Sequence, residues 1–128
     1  MPQRQATGQF PLLVQALLDS SFNPVAAHDA AMQLDVAALS QRPVHALSGG
    51  QLQRVFLARA LGCLVGGAGG LLADEPTAAL DFAGQAMVAD LLCQLPSTLV
   101  VVTHDRYLAG RCDRIVEMAN GQLREVAR

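Results

Sequence analysis

The chain has 128 residues, of which 52% are hydrophobic and 16% charged, with a formal net charge of −2. That balance excludes a disordered or highly charged tail, and the length suits one ordinary domain rather than two. All nine basic residues are arginines, so these residues contain no Gly-x-x-x-x-Gly-Lys-Ser/Thr phosphate loop, Schiff-base lysine or lysine general base.

Charges of both signs are interspersed, which gives no broad basic face and no expectation of direct nucleic-acid contact. Cys63, Cys93 and Cys112 form no C-x-x-C pair. Reduced thiols are therefore expected rather than a disulfide framework or a zinc site. The longest uncharged apolar stretch, 60–73, is rich in glycine and falls short of the ~20 residues that span a bilayer. Residues 1–10 lack the apolar run of a signal peptide. A cytoplasmic protein is expected, peripheral at a membrane only through a partner.

In chain order, a helical front over about 4–60 precedes an alternating α/β back over about 61–128. Leu13, Val14, Leu17 and Leu18 mark one face of a first helix. Asn23-Pro24 reads as a cap followed by proline at the first helical position, opening a second helix. Ser48 and Gln51 form an S-x-x-Q capping box that opens a third, QLQRVFLARALG, with Leu52, Val55 and Phe56 at core spacing. LLAD (71–74) is a short strand, and Asp81 caps a helix carrying Val88, Leu91, Leu92 and Leu95. TLVVVT (98–103) suits a strand buried on both faces. Asp105 caps a short helix, RIVEM (114–118) is a strand, and Asn120-Gly121 turns into QLREV. Strands alternating with helices imply a mainly parallel sheet with a C-terminal hairpin.

Four segments carry chemistry: Leu47-Ser48-Gly49-Gly50-Gln51, Asp74-Glu75-Pro76-Thr77, Ala79-Leu80-Asp81 and Thr103-His104-Asp105. Taken singly, each has an ordinary reading: a capped helix start, an exposed acidic pair, a second cap and a histidine after a strand. In this order and approximate spacing they resemble the ATP-binding cassette (ABC) ATPases. The resemblance implies an α/β fold, the C-terminal half of a P-loop NTPase (RecA-like) domain, with the helical signature subdomain in front.

LSGGQ resembles the family's signature loop. Its glycines let backbone approach a phosphate, Ser48 adds a hydroxyl, and the helix start offers unpaired N–H groups. Ser48, Gly49, Gly50 and Gln51 are thereby implied to bind ATP held by a second cassette. The resemblance makes Asp74 the Mg²⁺ residue and Glu75 the group that orients or deprotonates the attacking water. It makes Asp81 a residue that communicates across the dimer and His104 a contact to the γ-phosphate. Gln3 resembles the family's Q-loop glutamine, which reaches metal or water; the other reading of Gln3 is a frayed chain end.

The implied cofactors are ATP and Mg²⁺. The implied partners are a second ABC ATPase domain, in a homodimer or heterodimer, and a membrane permease. The implied function is an ATP-hydrolysing subunit that powers solute transport. Two alternatives stay open: a soluble family member of the translation or DNA-repair type, and a non-functional fragment of a split gene. The family's phosphate loop and its strand, which lies between the strand ending at His104 and the strand 114–118, have no counterpart here. The isolated chain is therefore expected to be inactive.

Overall fold

The computed structural model describes residues 11–126. The chain divides into two compact units between Ala68 and Gly69. The expected division near residue 60 falls inside a helix that runs on to Val65.

In the first unit, α1 spans Val14–Asp19 and α2 spans Pro24–Gln33. The Asn23 side chain accepts from the Ala26 N–H at 3.0 Å, so the Asn-Pro pair caps α2 as the sequence indicates. Helix α2 ends in a pair of reversed bonds: Asp35 N–H donates to Met32 O, and Val36 N–H donates to Ala31 O. This is a Schellman motif with Asp35 at φ 60 and the buried Val36 beyond it. Two short 3₁₀ turns, Ala37–Leu39 and Val44–Ala46, lead to α3, which spans Gly49–Val65.

The buried stripe of α3 is Val55, Leu57, Ala58, Leu61 and Gly62. Phe56, expected in the core, is 50% exposed, and its neighbour Leu57 turns inward in its place. Leu52 is only partly buried. Gly62 reads in the sequence as a helix terminus but sits inside α3, because α3 passes very close to the start of α2 there. A Cβ on Gly62 would meet the Ser21 hydroxyl, and would lie 2.8 Å from Ala27 Cβ and 2.9 Å from the Asn23 carbonyl oxygen. Ser21, itself buried, donates to Arg59 O at 3.1 Å beside this contact.

In the second unit, β1 (Gly70–Asp74) pairs in parallel with β2 (Thr98–Val102), joined through α4 (Phe82–Cys93). Helix α5 (Arg106–Gly110) then leads to β3 (Ile115–Ala119), which pairs antiparallel with β4 (Gln122–Val126). Asn120 and Gly121 both have positive φ, at 54° and 75°, as a tight hairpin turn requires.

One expectation about strands needs correction. β2 is not buried on both faces: Val100 and Val102 are each 54% exposed, and Leu72, opposite Val100, is 72% exposed. The parallel pair and the C-terminal hairpin are as expected, and among the described residues they form separate sheets, β1-β2 and β3-β4, which accords with the absence of the strand expected between β2 and β3. An apolar strand is buried on both faces only when further strands and helices cover it. β3 instead takes the partner reached by the shortest loop, where closure costs least.

Candidate functional site

The glycine-bearing helix start lies in the first unit. Gln51 N–H donates to Ser48 Oγ at 3.1 Å, and Ser48 N–H donates to the Gln51 side-chain oxygen at 3.0 Å. This reciprocal pair is the capping box indicated by the sequence. Ser48 and Gly49 are exposed. The first-turn N–H groups of an α-helix have no carbonyl partner within it, so this end presents donors and a positive dipole to solvent. Arg54 steadies the turn from within the helix: its Nε donates to Gly50 O at 3.4 Å and its Nη1 to Leu34 O at 3.2 Å. The second bond satisfies a carbonyl at the end of α2. Sequence reading missed Arg54, whose only signal is its place one turn after the glycines.

The acidic strand end and the histidine lie in the second unit. Parallel pairing sets Asp74 opposite Val102, so β1 and β2 end side by side. Glu75 follows with φ 51, a left-handed conformation uncommon for a residue with a Cβ. Its N–H donates to Val102 O at 2.7 Å, which carries the ladder one bond past the strand. Its Oε1 lies 2.7 Å from His104 Nδ1. The imidazole is 99% exposed and the carboxylate 34% exposed. The structure therefore brings Glu75 and His104, which are 29 residues apart, into direct contact. With one nitrogen on the carboxylate, the imidazole turns its other nitrogen, Nε2, away from Glu75.

Asp74 is exposed at the tip of β1. A lone carboxylate fits Mg²⁺, which commonly takes one or two protein carboxylates and completes its shell with water and phosphate oxygens. Among the described residues no group of three or more His, Cys, Asp or Glu forms a closed metal cage. Asp81 accepts from Gly84 N–H at 2.8 Å and caps α4, while remaining exposed. Gln3 lies outside the described residues. Among the described residues no helix is long and apolar enough to cross a membrane.

No protein-family model matches the chain. It is 43% identical over 119 residues to the uncharacterized ABC transporter ATP-binding protein YbbA of Escherichia coli (strain K12), covering 88% of this chain and 51% of that protein. It is 40% identical over 123 residues to the lipoprotein-releasing system ATP-binding protein LolD of Xanthomonas axonopodis pv. citri (strain 306), covering 91% of this chain and 49% of that one. Among solved structures it resembles the dimeric post-hydrolysis state of the ATP-binding cassette MJ0796 bound to ADP and Pi. That match has a TM-score of 0.75 and 28% identity, over 94% of this chain and 60% of the other. The chain spans about half the length of the curated relatives it matches. With the four motifs in register and the fold shared, the chain belongs to the family of ABC transporter ATP-binding proteins and corresponds to the C-terminal portion of their α/β ATPase cassette.

Proposed function

We propose that this chain supplies the signature-helix and acidic-strand half of an ATP-hydrolysing cassette that powers solute transport through a membrane permease. The contact between Glu75 Oε1 and His104 Nδ1 carries this reading. A carboxylate held beside an imidazole, at the end of paired parallel strands, can accept a proton from an attacking water. His104 holds that carboxylate in place and turns its second nitrogen toward an incoming phosphate. Ser48, Gly49, Gly50 and Gln51 form the helix tip that binds the triphosphate held by a second cassette: the Gly49 and Gly50 N–H groups and the Ser48 hydroxyl donate to it, while the Ser48–Gln51 capping box holds the tip in shape. Asp81 contributes at the same dimer interface. Asp74 holds Mg²⁺, which when bound neutralises the charge that develops on the phosphates. Gln3 is assigned to the metal or water contact. The working location is the cytoplasmic face of a membrane, through the permease.

No phosphate loop or lysine lies in these residues, so the purified chain alone is expected to show no measurable ATP hydrolysis and negligible ATP affinity. Turnover by the chain alone, abolished by Glu75→Gln, would overturn that. In a complete cassette containing these residues, Glu75→Gln should lower turnover by about 10²–10⁴-fold, the usual weight of a general base, while nucleotide-locked dimers still form. Full turnover in that variant removes Glu75 from the role. Co-purification with a permease supports the transporter reading, whereas association with ribosomes and no permease would favour the soluble family member.

A further inference from the structure

We infer that Thr77 and Asp105 are positioning residues that hold the Glu75 carboxylate against the His104 imidazole; this rests on the role proposed above for that pair. Thr77 is 1% exposed, and its Oγ1 donates to Asp105 Oδ2 at 2.9 Å. The hydroxyl must be the donor, because an ionised carboxylate only accepts. Thr77 lies two residues after Glu75, and Asp105 directly follows His104. One buried bond therefore ties together the two loops that carry the paired groups.

Asp105 is fixed on its own side before Thr77 reaches it. Its Oδ1 accepts from Tyr107 N–H at 3.0 Å and Leu108 N–H at 3.3 Å, and its N–H donates to Thr103 Oγ1 at 2.9 Å. That leaves Oδ2 as the oxygen that receives Thr77. The Glu75–His104 contact is too exposed to hold two loops in register by itself, since exposed ion pairs are weak and screened. The loop is gripped at two points instead: Glu75 N–H on Val102 O, and Thr77 Oγ1 on Asp105 Oδ2. Neither grip uses the Glu75 carboxylate or the His104 ring.

The test is side-chain ¹⁵N NMR of the His104 ring in the 128-residue chain. In the wild-type background, Glu75→Gln should shift the His104 ring nitrogens, because Nδ1 loses its carboxylate partner. In a Thr77→Val background, similar in shape but without the hydroxyl, the same change should leave the ring signals unmoved. Thr77→Ser should restore the response. A Thr77→Val chain that keeps the full Glu75-dependent shift, whatever its melting temperature, overturns the inference and leaves the bond a fold contact only. A wild-type chain whose His104 signals ignore Glu75→Gln is a different failure: it overturns the Glu75–His104 pairing itself. If Thr77→Val does not fold, Asp105→Ser carries the same comparison and the same two outcomes. It keeps a short cap on α5 while withdrawing the oxygen that Thr77 uses.

Discussion

Asp35 holds a backbone position that glycine occupies more readily. It closes the Schellman turn after α2 at φ 60, and its side chain is exposed. A left-handed residue with a Cβ costs roughly 1–2 kcal/mol, partly offset in aspartate by its short polar side chain. Asp35→Gly should therefore raise stability by about 0.5–1 kcal/mol, read as a higher urea midpoint with an unchanged slope. Gly62 is the opposite case. A methyl group there meets the Asn23 carbonyl and the Ala27 side chain at less than contact distance. Gly62→Ala should lower stability by about 1–3 kcal/mol through overpacking, although alanine is the better helix former. The Asn120-Gly121 turn was legible because its residue types demand positive φ. Asp35 was not, since no glycine or asparagine marks the turn. Gly62 was legible only as a misleading terminator, because close approach between helices leaves no local trace.

Among the elements, the caps were the most readable feature. Asn23, Ser48 with Gln51, Asp81 and Asp105 each accept the N–H bonds their spacing suggested. Capping is local, so a few residues contain all of its chemistry. What joins α4 to α5 was not readable. Asp90 on α4 accepts from Arg111, just past α5, and from the Tyr107 hydroxyl at 3.0 Å. The Arg111 bond, and next the Tyr107 bond, hold the Asp90 carboxyl below its ordinary range. On the hairpin, the Arg114 bond does the same for Glu125. Both carboxylates therefore favour the folded state above their unfolded pKa, and that contribution disappears as pH falls through the lowered values. Asp90→Asn should destabilise the chain at neutral pH, with the gap to wild type closing as the solution is acidified through that range. Melting temperatures recorded across acidic pH would show the convergence. The exposure of these groups keeps the effect small and sensitive to salt.

Over the whole molecule, the family and the order of elements were legible because motif spacing survives in any part of a cassette. The burial of β2 was not, because it depends on what covers the strand rather than on its own composition. Leu72, Val100 and Val102 form an exposed apolar patch on β1-β2, and Met118 and Leu123, opposite one another on the hairpin, are 76% and 67% exposed. Apolar strands without cover invite association. The purified chain should self-associate in a concentration-dependent way and bind a hydrophobic dye. Val100→Thr with Val102→Thr should reduce both, as measured by light scattering and dye fluorescence, while preserving β-propensity.

The solvent-facing imidazole of His104 has a consequence for turnover in the reading proposed above. A ring sequestered in the interior could meet a nucleotide only if the fold opened at each cycle. One poised at the rim keeps its grip on the carboxylate with one edge while the other edge greets and lets go of each visiting phosphate, so the same base stands ready for the next round without the surrounding fold being disturbed.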